Sequence, residues 1–386
     1  MVALLFLIID VRGANIIILI NQSKKRMEFN YRWKLAEALF PKNKGKVFSC
    51  FACGGGSTMG YKLAGFDVIG INEIDPRMAE LYQKNHKPKF AFIEGIQTFK
   101  TQADLPPELY ELDILDGSPP CSSFSMAGNR EKDWGKEKKF KEGQAEQVLD
   151  TLFFDFIELA EKLQPKIVVA ENVSGILKGN ARDYVRKILI AFDKAGYLVK
   201  EFELDSSQME VPQKRERVFF IAVRKDLSEL LPKPQGLLFC DFPCLNMNFA
   251  REPIPFDKIR TEGINNANWT GHDQSIWEKR VFGDRTYSSV LERTENRCSN
   301  FNSSFIYAHK PVCTIASSEG SKLTLFDEPR RMNSVEMILA QSFPLDYNFG
   351  SDKCAKIQYV LGMSVPPIMM AHIANRIYNE WRVLFK

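Results

Sequence analysis

Leu112-Asp113-Ile114-Leu115-Asp116-Gly117-Ser118-Pro119-Pro120-Cys121 is the stretch that decides the fold. A short apolar run that breaks into Gly-Ser-Pro-Pro reads as a buried strand with an abrupt end. Each proline fixes its own φ and pushes its predecessor towards an extended backbone, so the exit is stiff. Cys121, held on that exit, has two readings. Taken alone, a cysteine is more often a buried structural thiol. In the company of Gly54-Gly55-Gly56, Glu171-Asn172-Val173 and Gln213-Lys214-Arg215-Glu216-Arg217, it becomes a candidate nucleophile.

Around this strand the chain alternates. Lys46 to Ala52 reads as a strand, then the glycine turn, then a helix from Ser57 to Ala64. Further strands are expected at Asp67–Ile71, Phe90–Ile93, Leu112–Asp116, Ile167–Ala170 and Val218–Val223, with a helix through Gln147–Leu163. Such alternation predicts a parallel, doubly wound α/β sheet. Phe29 to Phe40 is an amphipathic stretch, so the large unit is taken as residues 27–225. Residues 226–305 are irregular, rich in Asn, Pro, Ser and aromatics, and nearly balanced in charge, as expected of a smaller separate domain. Residues 306–386 return to the large unit, with a helix over Ser334–Gln341 and a glycine-proline turn plus helix over Gln358–Arg376.

The 386 residues are 45% hydrophobic and 26% charged, ordinary for a soluble enzyme with a real core. A net charge of +4 permits a polyanionic partner without arguing for one. The eight cysteines are too few for a disulfide scaffold in a chain this long. The pairs Cys50/Cys53 and Cys240/Cys244 would need further ligands, and no spacing to His86, His272, His309 or His372 suits a metal. Reduced thiols fit a cytoplasmic protein. Met1 to Ile20 is apolar apart from Asp10, Arg12 and Asn15. A charge pair near the centre of a membrane span is costly, so no membrane is expected and residues 1–26 read as a dispensable extension.

The glycine turn lets backbone approach a ligand closely, with helix amides behind it. Glu73, about 20 residues after Gly54 at the end of the next strand, suits a ribose diol. The ligand could be any adenosine-type cofactor, and the lack of a full GxGxxG argues against a dinucleotide. Arg130, Lys132, Lys136, Lys138, Lys139 and Lys141 make a charged loop, open to two readings: a solvated surface or a mobile cover over the site.

Phe51-Ala52-Cys53-Gly54-Gly55-Gly56, Asn72-Glu73-Ile74-Asp75, Gly117 to Ser125, Thr151-Leu152-Phe153-Phe154-Asp155, Glu171-Asn172-Val173, Gln213 to Arg217 and Gly362-Met363-Ser364-Val365-Pro366 occur in that order. Together they resemble the DNA (cytosine-5) methyltransferase family over about residues 46–377, with a variable gap at 226–305. The resemblance implies a Rossmann-like sheet that uses S-adenosyl-L-methionine, with residues 226–305 as target-recognition domain. It implies double-stranded DNA as substrate and a cytosine swung out of the duplex. Cys121 would add to C6 of that base, making C5 nucleophilic. Glu171 would protonate N3 and bond the N3/N4 edge. Arg217 would bond O2 with Arg215 in support, and Asn172 would hold the Pro-Pro-Cys loop. Phe51 would cover the adenine, Glu73 bind the ribose, and Gly55 and Gly56 lie against the methionine. Ala52, Gly54, Ser57, Ile74, Ile96, Pro119, Leu152, Ser364 and Val365 would complete the pocket. Lysines in residues 122–143 would contact phosphates.

The resemblance also implies a monomer in the cytoplasm, associated with the nucleoid, and leaves room for a partner restriction endonuclease. Five departures stand out. Ser49 replaces a usual acid, Cys53 the first glycine of the turn, Gly95 a frequent Asp, Ser122 a frequent glutamine and Met363 a frequent asparagine. Competing readings are an amino-methyltransferase acting on cytosine N4 or adenine N6, a tRNA cytosine-5 methyltransferase, and a non-catalytic DNA-binding relative. The first gives Cys121 and Glu171-Asn172-Val173 no role.

Overall fold

The computed structural model describes residues 29–120, 151–179, 181–234, 241–262, 269–297, 303–318 and 322–386. Cys121, the segment 122–143, Cys240 and residues 1–26 lie outside the described residues. The first elements are β1 (Lys46–Cys50), α1 (Gly56–Ala64), β2 (Asp67–Asn72), α2 (Pro76–His86), β3 (Phe90–Phe92) and the one-turn α3 (Ile96–Phe99). Then come β4 (Ile114–Gly117), α4 (Leu152–Leu163), β5 (Ile167–Val173), α5 (Ala181–Lys194), β6 (Tyr197–Asp205), β7 (Glu216–Arg224) and α6 (Lys225–Ser228). Their strands form one seven-stranded sheet in the order β3-β2-β1-β4-β5-β7-β6. The doubly wound α/β class is thus the one the chain adopts.

The expectation of a parallel sheet fails at one edge. β1, β2, β3, β4 and β5 pair in parallel, but β7 runs antiparallel to both β5 and β6. The link between β6 and β7, residues 206–215, holds only a 3-10 turn at Ser206–Gln208. That is too short for the crossover a parallel return needs. The apolar run Val218–Val223 has a strand on either side, and such a run does not disclose strand direction. β6 had no counterpart in the sequence reading. Its Lys200, Glu201 and Glu203 interrupt the apolar residues, as suits an outer strand.

The two faces of the sheet carry separate cores. Phe48, Leu115, Val168, Ala170, Phe220 and Ala222 pack with Phe153, Phe156 and Ile157 of α4 and Ile188 and Phe192 of α5. Val47, Ile114, Val169, Phe219 and Ile221 pack on the other face with Tyr61 of α1 and the carboxyl-terminal helix. Each such large apolar side chain contributes roughly 1.5–3 kcal/mol when taken fully out of water. Gly117 sits where a Cβ would come 2.5 Å from the Phe156 ring, so α4 presses directly on the exit of β4.

The chain next forms α7 (Gly271–Glu278), α8 (Tyr287–Glu295) and the parallel pair β8 (Ser304–Ile306) and β9 (Leu323–Leu325). Thr270 and Thr286 cap the two helices through reciprocal bonds with Asp273 and Ser289. Ile276, Tyr287, Val290, Leu291 and Phe305 make a small core of their own. Phe242, Met247 and Phe249 belong instead to the core of the large sheet.

The return segment comprises α9 (Ser334–Ala340), α10 (Cys354–Met363) and α11 (Pro367–Glu380). α10 begins earlier than the expected turn at Gln358, and Pro366 opens α11. α11 crosses α1 closely: a Cβ on Gly60 would lie 2.5 Å from that of Met370. The stretch Cys354–Glu380 is long and apolar enough to cross a membrane, but 83% of its apolar window is buried inside the protein. Residues 29–40 form turns without a regular helix. They are tied down by Trp33, whose Nε1 donates to the Ser342 carbonyl at 2.9 Å.

Candidate active site

The strand order reverses between β1 and β4, and a doubly wound sheet binds ligands outside its carboxyl ends at such a point. A pocket lies there. Phe51, Glu73, Ile74, Ile96 and Leu152 of the expected cofactor residues line it, with Cys53, Asp75, Met78, Gly95, Ser118, Pro120, Tyr359 and Met363.

β1 leads into a tightly wound turn. Phe51 (φ 53°), Cys53 (φ 46°) and Gly55 (φ 77°) are all left-handed. That conformation is unusual for a bulky residue and points to a turn whose shape matters. Cys53 thus adopts the left-handed backbone that a glycine at this position would take without strain. Glu73, 7% exposed, sits across from the turn. Its carboxylate accepts the Cys53 amide at 2.7 Å and the Asp75 amide at 2.9 Å. Burial raises its proton affinity, and those amides oppose the shift. Asp75 in turn caps α2 by accepting the Arg77 amide at 2.8 Å. Burial pushes the Cys53 thiol up to about 12, so it is protonated at neutral pH.

Several expected pocket residues stand one layer back. A Cβ on Gly56 would meet the Val365 carbonyl at 2.2 Å, and one on Gly55 would meet His86 at 2.5 Å. Their missing side chains therefore make room for protein rather than ligand. Gly54 gives its carbonyl to the Tyr347 hydroxyl at 2.6 Å. Ala52 closes the turn by accepting the Gly55 amide at 2.8 Å. Ser364 is buried, its hydroxyl donating to Val360 at 2.8 Å and its carbonyl accepting from Gln341 at 2.7 Å. Val365 and Ser364 thus brace the turn from the return segment. Ser57 opens α1 behind them.

The exit of β5 and the entry of the antiparallel β7 build the second part of the site. Register pairs Val173 with Arg217 and Glu171 with Phe219, so Glu171 and Arg217 share a face of the sheet. Arg217 Nε lies 3.0 Å from a Glu171 oxygen, with both side chains largely buried. Burial lowers the proton affinity of Arg217, and Glu171 offsets this. Asn172, on the opposite face, donates from Nδ2 to the Pro119 carbonyl at 3.2 Å. The expectation that Asn172 holds the Pro-Pro turn matches this contact. Pro119 is therefore turned to Asn172, while its neighbours Ser118 and Pro120 reach the pocket.

Arg215 does not join the ion pair. Its guanidinium donates to the carbonyls of Ile315 at 3.3 Å and Gly362 at 2.9 Å, tying β7 to the return segment. Burial, and then repulsion from Arg217, lower its proton affinity. Gln213, fully buried, accepts the Ile315 amide at 2.9 Å and donates to Gln341.

Sequence reasoning missed Met78, Tyr359 and the second acid of the opening strand, Asp116. Met78 and Tyr359 reach the pocket from helices whose local sequence carries no ligand signal. An acid inside an apolar strand was a signal in the case of Asp116. The Ser49 hydroxyl donates to it at 2.7 Å, so a carboxylate stands beside Ser49, supplied by β4 rather than β1.

A profile of the family "C-5 cytosine-specific DNA methylase" matches residues 45–379. The chain is 35% identical to the Type II methyltransferase M.FnuDI of Fusobacterium nucleatum, covering 86% of this chain and 94% of that one. It is 28% identical to the Type II methyltransferase M.NgoPII of Neisseria gonorrhoeae, over 87% and 96% of the two chains. A solved DNMT2 mutant of Spodoptera frugiperda shares the fold at a TM-score of 0.58 and 17% identity, over 88% and 99%. With a match across the sheet, the site and the return segment alike, the chain belongs to the C-5 cytosine-specific DNA methylase family.

Proposed function

We propose that this chain methylates C5 of cytosine in duplex DNA through an adduct between Cys121 and C6 of the base. The observation that supports it best is the Glu171–Arg217 pair, next to an asparagine that holds the turn leading to Cys121. Cys121 itself is placed in this role by its sequence position. S-adenosyl-L-methionine, when bound, supplies an electrophilic methyl group. The pocket suits it: an aromatic ring, a buried carboxylate at the end of β2 and apolar walls meet at the switch point. Phe51 would cover the adenine and Glu73 hold the ribose, with Ile74, Ile96 and Leu152 as walls.

C5 of cytosine is a poor nucleophile. Addition of the Cys121 thiolate at C6 moves electron density onto C5. Glu171, as an acid, gives a proton to N3 and so balances that charge. Arg217 orients Glu171 before the base arrives and bonds O2 of the base once it is in place. Arg215 positions the entry of β7 through Ile315 and Gly362. Loss of the C5 proton and departure of the thiolate complete the cycle.

Substrate recognition falls to the small unit. Because β8 pairs with β9, that unit is proposed to continue from about residue 256 to about residue 326, past the boundary at 305. The biological setting proposed is a cytoplasmic, nucleoid-associated monomer with a cognate restriction endonuclease. Bisulfite sequencing of DNA from a methylation-free host that expresses the chain tests the reading. Protected cytosines in one sequence context support it. Methyl groups on N4 of cytosine, on N6 of adenine or on tRNA alone would overturn it.

A further inference from the structure

Where the return segment meets α2, the protein holds a cavity that the proposed reaction does not use. Its volume is about 430 Å³, and it lies between α2, α10 and the loop that leads into α10. That size suits a small-molecule site. Met78 and Tyr359 line both this cavity and the cofactor pocket, so the two spaces share a wall.

Helical spacing builds the charge of the cavity. Arg77, Leu81 and Lys84 recur along one face of α2, and Lys353, Lys356 and Val360 recur along one face at the start of α10. The lysines and the arginine are exposed at the rim, whereas Leu81 and Val360 are buried. Phe349 and Tyr359 add aromatic rings to this apolar part. Glu80 is the one carboxylate among the described residues that line the cavity, and Lys84 already holds it at 2.7 Å. Positive charge is therefore in excess. The amino-terminal turn of α10 carries Lys353 and Lys356 but no acid, against the preference set by the helix dipole. Helix stability thus does not account for these lysines, and S-adenosyl-L-methionine, which has no phosphate, gives them no task.

We infer that this cavity binds a free nucleoside polyphosphate, with the phosphates on the cationic rim and the base against the rings. Charge-assisted bonds from lysine and arginine recognise phosphate, and stacking on an aromatic ring accepts any base. The walls of the cavity also reach the glycine turn. A Cβ on Gly54 would lie 2.7 Å from a Val360 methyl. Phe349 packs at 4.6 Å on the Tyr347 ring, whose hydroxyl holds the Gly54 carbonyl at 2.6 Å. An occupant therefore bears on the turn, and its negative charge favours a cofactor with a positive sulfonium. The two affinities are coupled, equally in both directions. The coupling, unlike the binding itself, rests on the cofactor reading of the neighbouring pocket.

The test is calorimetric binding of UTP to the full chain, with the cofactor pocket saturated by S-adenosyl-L-homocysteine. UTP is expected to bind, tripolyphosphate to displace it, and uridine to bind roughly tenfold more weakly or worse. K353A/K356A replaces two exposed side chains outside the reaction, so its basal methyl transfer is expected to match wild type while its UTP affinity falls by about tenfold or more. In wild type, saturating UTP is expected to tighten S-adenosyl-L-methionine binding by about fivefold. No UTP binding, or equal binding by wild type and K353A/K356A, would overturn the inference. So would a double variant that binds UTP normally but loses affinity for duplex DNA, which would give the lysines to the nucleic acid. A cofactor affinity that UTP does not move would overturn the coupling. Failure of the cofactor reading would look different: no binding of S-adenosyl-L-methionine, with UTP still bound.

Discussion

At the exit of β2 the buried carboxylate of Glu73 is held by two backbone amides, whereas at the exit of β5 the carboxylate of Glu171 is held by a guanidinium. The two acids stand near the same edge of one sheet, a few strands apart. Amides belong to the fold and stay where they are, so Glu73 is a fixed receptor, suited to a neutral diol. A side-chain partner can change its bonds when a base enters, so Glu171 can pass from ion pair to proton donor. The parallel half of the sheet thus builds a rigid cofactor pocket, and the antiparallel half an adjustable pair for the base.

The two cysteines of the site should separate the halves most sharply. Loss of the thiol in C121S is expected to lower methyl transfer by about a thousandfold or more, measured with radiolabelled cofactor. C53A, which removes a protonated thiol from the cofactor half, should keep kcat within about tenfold. E171Q keeps the shape of the pair but removes its proton. It should lower kcat by on the order of a hundredfold or more while the cofactor KM holds, by steady-state kinetics. R217A leaves a buried carboxylate unpaired and should cost about 3 kcal/mol in denaturant unfolding.

On the cofactor side the split should reverse. E73A is expected to weaken cofactor binding by roughly ten- to a hundredfold by calorimetry, the worth of charged hydrogen bonds, with a smaller change in kcat. A variant that lost kcat but bound cofactor normally would break the division between the two acids. The smallest effect is expected from N172A, about 1 kcal/mol of stability from its bond to Pro119.

Stability against pH gives a further contrast. Folded Asp116 holds its proton up to about 7, whereas an unfolded carboxyl releases it near pH ~4. The folded state therefore binds more protons in that window, and wild-type stability falls as pH rises through it. D116N should match wild type below pH ~4 and melt higher above pH ~7 in thermal scans. Parallel melting curves across the whole range would contradict the titration.

Much of the site was legible because its signals are local. The break at Gly117-Ser118-Pro119-Pro120, the glycine turn and the acid at the end of the next strand each sit in a few consecutive residues. The resemblance to the family assigned Asn172 to the Pro-Pro-Cys loop, and its contact with Pro119 agrees. The direction of β7 was not legible, since an apolar strand packed on both sides looks the same either way round. Nor was the use of Gly55 and Gly56, whose small size serves contacts with His86 and Val365 from distant parts of the chain. Arg215 looked like a partner for the base because it neighbours Arg217. The carbonyls of Ile315 and Gly362, from distant parts of the chain, take its guanidinium instead. Asp116 was in view from the start, but its meaning depends on Ser49, Tyr61 and Glu171 meeting it across three elements.

The central claim is that a sulfur atom bonds to the ring of the target cytosine. Duplex DNA with 5-fluorocytosine at the methylated position tests it, because fluorine at C5 prevents the final elimination. Incubation with S-adenosyl-L-methionine and the full chain should yield a denaturant-stable protein–DNA complex, and mass spectrometry should place the link on Cys121. Methylation of ordinary cytosine DNA with no trapped complex, or a link on another residue, would contradict the account.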